Sequence, residues 1–271
     1  MRYILIFFIF FGCNTKNEVY DVKGTVHSID NTKKSVLIAH DTIVDLMMPM
    51  VMPFTIRNDK ELNNLNIGDS VHFQFVWNQE SPFARGFNIV GKGNIPEHDD
   101  FFDDIYLEKQ VGQIIDDVSL VSMEGQAVKL SDSDGSYRFI SYIFSRCPMP
   151  NLCPAIVIKN KALAYKFPDI DFIMISFDYK YDTPQILYDY YHDIASEKDN
   201  LIVWSSNERI EEIYQLVKQS GGNFWGVEEN KIGHTLKSIL IGPNRELLAS
   251  WSGEQWTVLH AERAISLLVD F

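Results

Sequence analysis

In the first third of the chain, apolar and polar positions alternate with a period of two in short runs at residues 22–29, 35–39, 54–57, 70–76 and 87–90. Such alternation turns one face of a strand to a core and the other to water. Turn-forming clusters separate the runs, among them Asp30-Asn31-Thr32-Lys33 and Asn66-Ile67-Gly68-Asp69. The pattern predicts a small all-β barrel of the OB-like kind over residues 20–90. A polar stretch opening at Gly91 and carrying Glu97-His98-Asp99-Asp100 predicts a linker over 91–110. From residue 111 the pattern changes. Continuous apolar runs at 137–144 and 170–177 predict buried strands, and 154–166, 183–194, 210–220 and 256–269 predict helices. Runs at 238–242 and 247–251 predict a hairpin over Pro243-Asn244. A buried strand, a helix, a second buried strand and a closing hairpin predict an α/β thioredoxin-like domain over 111–271. The fold class is therefore two domains, all-β then α/β.

Composition narrows the function classes. With Lys+Arg at 24 against Asp+Glu at 37, the formal charge is −13, and no clustered basic surface is visible for a nucleic acid partner. Three cysteines are too few for a disulfide scaffold or a four-thiolate zinc site. The sequence has no glycine-rich phosphate loop, no Ser-His-Asp arrangement and no His-Glu-x-x-His.

The first cysteine ends an apolar run at residues 4–11 that follows Arg2, closing Phe11-Gly12-Cys13. The run is less than half of the roughly 20 residues that cross a bilayer, and it reads as a secretory signal. A cysteine directly after a small residue resembles a bacterial lipoprotein signal, which implies a lipidated Cys13, a tether over 14–19 and an exported, periplasmic-side protein held on a membrane by its lipid. The alternative is a soluble exported protein cleaved nearby.

The other two cysteines lie in Phe144-Ser145-Arg146-Cys147-Pro148-Met149-Pro150-Asn151-Leu152-Cys153-Pro154, where the first buried strand ends and the first helix of the second domain begins. A thiol at a helix N-terminus meets the positive end of the dipole, which favours the thiolate. Two thiols on one loop close a structural disulfide, act as a redox pair, or grip a soft metal. This segment, with Asp178, Asp182-Thr183-Pro184 and Gly233-His234-Thr235, resembles the Sco/SenC family of copper-binding thioredoxin-like proteins over residues 111–271. The resemblance implies copper ligation by Cys147, Cys153 and His234. Five residues separate the cysteines here, where the family has three. Two thiolates and a neutral imidazole form a soft set suited to Cu(I). Ile232-Gly233-His234-Thr235 holds no proline, unlike the cis-proline segment of thioredoxin-like reductases, which favours metal over generic disulfide exchange. Asp178 and Asp182 read as supports of the site or as turn and cap residues.

A second concentration of soft donors lies in Met47-Met48-Pro49-Met50-Val51-Met52, with His40 upstream. In a strand Met50 and Met52 share a face, and thioether sulfur is a soft ligand that needs no deprotonation. A core role for methionine is the other reading. Gly24-Thr-Val-His-Ser-Ile-Asp30, His40-Asp41-x-Ile43, Met50-Val-Met52-Pro-Phe54 and Leu65-x-Ile-Gly68-Asp69-x-Val71-x-Phe73 together resemble the CusF-type periplasmic copper-binding domain over 20–90. The resemblance implies Cu(I) ligation by His40, Met50 and Met52. Met47 is the third sulfur where that family stacks a tryptophan, and Trp77 is too distant along the chain for that role.

The combined expectation is a periplasmic copper chaperone. Copper is its cargo, and its client is the binuclear copper site of cytochrome c oxidase, on that enzyme's copper-binding subunit, or another periplasmic copper client. Thioethers hold Cu(I) less firmly than thiolates, so copper is expected to pass from the first site to the second by ligand exchange. The alternatives are a thiol-disulfide oxidoreductase, with Cys147 and Cys153 as its redox pair, and a copper-tolerance protein that sequesters the metal.

Overall fold

A computed structural model describes residues 17–44, 46, 47, 49–77, 81–93, 106–147, 152–227, 232–253 and 256–269. Cys13, Met48, His98 and the centre of the cysteine loop at 148–151 lie outside the described residues.

The N-terminal unit is built from β1 (Glu18–Asp30), β2 (Ser35–His40), β3 (Met50–Thr55), α1 (Asp59–Asn64), β4 (Asp69–Trp77) and β5 (Phe83–Lys92). The strands pair antiparallel in the order β3-β2-β1-β4-β5. The β1–β2 turn is closed by the Asp30 carboxylate, which accepts from Thr32 N, Thr32 Oγ1 and Lys33 N. This is an Asx turn of the kind the sequence cluster predicts. The ladder does not close into a full barrel; an isolated bridge between Ile56 and Ala84 spans the gap between β3 and β5. Inside, Phe54 meets Phe73 and Phe75 edge-on at 4.9 and 5.0 Å, a favoured geometry for ring quadrupoles. Helix α1, absent from the sequence reading, is capped by Asn58 accepting from Lys60 N. It is tied to β5 by Glu61, whose Oε2 accepts from Gly86 N at 2.8 Å.

The C-terminal unit contains β6 (Ser119–Ser122), β7 (Ala127–Lys129), β8 (Tyr137–Ile143), α2 (Cys153–Lys166), β9 (Ile170–Ser176), α3 (Pro184–Ala195), β10 (Leu201–Ser205), α4 (Ile210–Gln219), β11 (Asn223–Trp225), β12 (Ile232–Thr235), β13 (Lys237–Ile241), β14 (Leu247–Ser252) and α5 (Val258–Leu268). Its main sheet runs β14-β13-β8-β9-β10-β6-β7, with β8–β9 and β9–β10 parallel and β13–β14 the predicted hairpin. Phe139, Ile140, Phe172 and Ile173 are wholly buried, as both-face coverage of a parallel centre requires. Arg138 is also fully buried, yet its guanidinium donates to the carbonyls of Leu130 and Gly242, each at 2.8 Å, and to Asp134 at 3.0 Å. It fastens the 3-10 turn Leu130–Ser133 to the hairpin end. Among the described residues no helix is long and apolar enough to cross a membrane.

Strands β11 and β12 leave this sheet. They pair with each other antiparallel and extend the N-terminal sheet, β12 lying parallel to β3 with Ile232 opposite Met50 and Gly233 opposite Val51. The two units are thus joined by a strand pair that hydropathy along the chain did not reveal.

Candidate metal centres

The N-terminal group forms on the β2–β3 ladder. His40 faces Met50 across the pair and Ile38 faces Met52, so positions 38, 40, 50 and 52 lie on one side of the sheet. On that side His40 is fully buried and Met52 is 3 % exposed. Ala39 and Val51, one position out of phase, form a small apolar cluster of their own. Gly24 lies opposite His40 on β1, where an added Cβ would come within 2.9 Å of the His40 Cα and 2.6 Å of Ile38 Cγ2. Only glycine lets the two strands approach that closely.

The His40 ring is fixed from one end. Its Nδ1 lies 2.6 Å from the Asp41 carbonyl oxygen, and a carbonyl only accepts, so Nδ1 carries the proton. The Asp41 amide donates to Lys23 O, which anchors that carbonyl. Nε2 is therefore a bare lone pair, buried and without a hydrogen-bond partner among the described residues. Burial holds the imidazole below its ordinary pKa, and the Asp41 carbonyl only partly offsets this. The Phe54 ring stands edge-on to His40 at 5.7 Å. Met47 is 5 % exposed in the same apolar core as Met52. It is turned inward by a reciprocal backbone pair in which Met47 N donates to Ile43 O and Ile43 N donates to Met47 O, both 2.9 Å. Trp77 packs on Phe75 at 5.8 Å.

The C-terminal group lies where β8 gives way to α2. Cys147 is half-buried, Cys153 is buried at the first position of α2, and no disulfide joins them. The two are in hydrogen-bond contact. The Cys153 thiol is pushed well above its ordinary pKa, first by the hydrogen bond with Cys147, then by burial and by the Cys147 and Asp182 charges; the Phe144 amide opposes this. The direction is opposite to the one that its place at a helix N-terminus alone suggests: the Cys147 thiol and burial both disfavour a Cys153 thiolate.

The two aspartates fix the approach to Cys147. Both are fully buried. Asp182 accepts from Ser145 N at 2.9 Å and from the hydroxyls of Ser145 and Ser176. Asp178 takes the Arg146 guanidinium through Nε at 2.9 Å and Nη2 at 2.6 Å. Arg146 also stacks over Tyr181 at 4.4 Å. Burial raises the Asp182 pKa despite its donors. Tyr191 on α3 was not singled out in the sequence. Burial, and then the proximity of Cys153, Asp182 and Cys147, hold its phenol neutral, so it lies near both thiols. Its signal was helical: it lies one turn after the buried Leu187.

His234 lies on β12 opposite Phe224. Its ring meets Phe177 at 5.2 Å and Phe144 at 6.0 Å, both at steep angles. The residue as a whole is half-buried, its ring packs against these phenyls, and burial lowers its pKa to about 4. At neutral pH it is a neutral ligand-type imidazole. Among the described residues no three His, Cys, Asp or Glu side chains stand close enough together to hold a metal. The dithiol is formed, and His234 stands apart from it behind Phe144.

Comparison with known proteins adds to this geometry. The model of the SCO1/SenC family matches residues 108–268, and that of the copper binding periplasmic protein CusF matches residues 19–82. A search of curated proteins finds no match. Among solved structures, a SCO1/SenC family lipoprotein from Bacillus anthracis str. Ames is similar at 18 % identity and TM-score 0.52, over 60 % of this chain and 99 % of that one. Copper-bound Arabidopsis thaliana ScoI is similar at 21 % identity and TM-score 0.49, over 57 % and 99 %. The first of these likenesses supports the thioredoxin-like fold of the C-terminal unit.

Proposed function

Because the chain belongs to the SCO1/SenC family, we propose that it is a copper chaperone carrying two sets of copper ligands. One set is His40, Met50 and Met52, with Met47 as a third sulfur; the other is Cys147, Cys153 and His234. Copper is the cargo, bound by soft donors and released by ligand exchange. The observation that carries the reading is the bare, buried Nε2 of His40 on the same sheet side as Met52. A buried acceptor without a donor costs stability, and a soft cation is the partner that matches imidazole and thioether together. The CusF match over this segment supports it.

The client in this reading is the binuclear copper site of cytochrome c oxidase, which rests on the Sco/SenC resemblance. The site of action is the periplasmic side of a membrane, with Cys13 as the lipid-bearing residue. The CusF description as a periplasmic protein and the description of the Bacillus anthracis relative as a lipoprotein support that location. A second reading, thiol-disulfide exchange, is favoured by the asymmetry of the thiols: Cys147 is the more exposed and Cys153 is buried and protonated.

Anaerobic Cu(I) titration separates the readings. The reduced protein is expected to take two equivalents, one lost in Met50→Leu/Met52→Leu and the other weakened in His234→Ala and lost in Cys147→Ser. Rapid disulfide turnover with copper binding indifferent to His234→Ala would favour the oxidoreductase, and absence of copper binding would refute both copper sites.

A further inference from the structure

The seam between β3 and β12 places His234, from one ligand set, on the sheet that carries the other set. Ile232 is opposite Met50 and Gly233 opposite Val51 in parallel register. One residue further, β12 carries His234 and β3 carries Met52. Paired positions in neighbouring strands share a face, so His234 belongs to the side already occupied by Met52 and His40. Ile232 and Phe224 on that side are 1 % and 3 % exposed, and both belong to the apolar core that contains Met47 and Met52. On its far side His234 meets Phe177 at 5.2 Å and Phe144 at 6.0 Å, and Phe144 is 2 % exposed. Phe144 begins the loop to Cys147, and its amide reaches the Cys153 sulfur.

We propose that copper held by His40 and the methionines passes to Cys147 and Cys153 within the same chain, across the β3–β12 seam, through the His234 imidazole. The inference rests on the copper reading above. The step is ligand exchange with no change of oxidation state: Cu(I)–thioether and Cu(I)–His40 bonds break as the His234 bond forms, then two Cu–S bonds form. The two thiol protons leave to solvent. The path runs along buried residues, so the ion does not enter bulk water between the sets. The strand pair also accounts for the distance of His234 from the thiols: β12 holds it beside the methionine strand.

The test is a competition in which within-chain and through-solution transfer give different copper distributions. The full chain is oxidised to the Cys147–Cys153 disulfide and loaded anaerobically with Cu(I) on the first set. It is mixed with about tenfold excess of tagged, copper-free, oxidised Met50→Leu/Met52→Leu chain, and a phosphine reductant then opens both dithiols. The tagged chain is captured at once and its copper counted. The copper is expected to stay on the loaded chain, with only a small minority captured. Capture in proportion to the tagged chain's excess would overturn the proposal. Ile232→Asp buries a carboxylate in the seam and is expected to shift the distribution toward the tagged chain, whereas Ile232→Val is expected to leave it unchanged. Retention by Ile232→Asp equal to wild type would also overturn it. With His234→Ala in both chains, so that the two dithiols stay equal, the distribution is expected to shift as for Ile232→Asp; retention at the wild-type level would remove His234 from the path. The wild-type arm needs no variant, so a misfolded Ile232→Asp does not blunt the test. If the oxidised chain takes up no Cu(I), the copper reading itself fails, a result distinct from failure of the hand-over.

Discussion

His40→Leu separates a ligand from a packing residue. Truncating or replacing a large buried side chain ordinarily costs about 2–5 kcal/mol. At His40 the terms differ. Leucine removes an unpaired buried acceptor, Nε2, a gain of about 1–3 kcal/mol. It gives up the Nδ1–Asp41 hydrogen bond, about 0.5–1.5 kcal/mol, and Asp41 is exposed, so water takes its carbonyl. It also gives up the edge-on Phe54 contact, about 0.5–1.5 kcal/mol. The sum centres near zero, so copper-free His40→Leu is expected within about 2 kcal/mol of wild type in urea denaturation. The copper-bound proteins diverge. Cu(I) buffered at a hundred times the dissociation constant stabilises wild type by about 2.7 kcal/mol, and His40→Leu loses that increment. A copper-free loss above about 3 kcal/mol would refute the reasoning, because Nε2 would then have a stabilising partner. An undiminished copper increment would refute the ligand assignment.

Other outcomes follow from the C-terminal site. The folded His234 imidazole has a pKa of about 4 against an unfolded value of 6.5, so below pH 6.5 the unfolded chain binds the extra proton. Stability is therefore expected to be level above pH 6.5 and to fall from there to about pH 4, by at most about 3 kcal/mol; His234→Phe should flatten that limb in pH-dependent denaturation. Alkylation of the reduced protein with iodoacetamide, followed by mass spectrometry, should modify Cys147 at least about tenfold faster than Cys153, whose thiol is buried and held protonated; equal rates would contradict this. Arg146→Ala leaves the buried Asp178 carboxylate without its guanidinium. That should destabilise the protein by about 3 kcal/mol, toward the low end for a broken buried pair because Arg146 is partly exposed, and it should weaken copper binding at the dithiol. Cu(I) affinity at the dithiol should rise up to about a hundredfold per pH unit near neutrality as two protons leave, whereas the His40 and methionine set should be flat there; equal slopes would contradict the assignment of ligands.

The parts of this molecule that could be read from sequence are those governed by neighbours along the chain. Period-two runs overlapped all five strands of the first unit, the third catching only the end of β3, and the Asp30 turn residues closed the β1–β2 hairpin whose register sets Gly24 against His40. Pro154 marked the start of α2, and Pro243-Asn244 the last hairpin. Helix α1 was missed because six residues give no amphipathic period, although Asn58 before Asp59 was a capping signal. The seam was illegible for a different reason. Ile232 and Gly233 look like the approach to an apolar strand, and nothing near them states that their partner is the methionine strand of the other unit. The direction of the Cys153 shift was misread because helix position is local, whereas Cys147, Asp182 and the enclosing core are brought to it by the loop and by β9. Asp178 and Asp182 were visible as acids in a turn, but their grip on Arg146 and Ser145 requires β8 and β9 to lie side by side.

The two ligand sets also differ in how each is kept ready for a metal, and that difference gives the hand-over a direction. His40 is neutral because burial lowers its pKa, and thioethers carry no proton, so neither is released when copper binds near neutral pH. Cys153 lies on the other side of the balance: burial and Cys147 hold its proton, so copper must displace it. The dithiol is intrinsically the stronger set, but its advantage is diminished by every proton it must shed, and the thioether set has no such term. Raising the pH thus strengthens only the acceptor end of the β3–β12 path, and lowering it narrows the difference in affinity between the two ends. On the proposed path, a site whose Cys153 holds its proton is a receiver whose strength follows the pH of its compartment, and the thioether set is a donor whose strength does not.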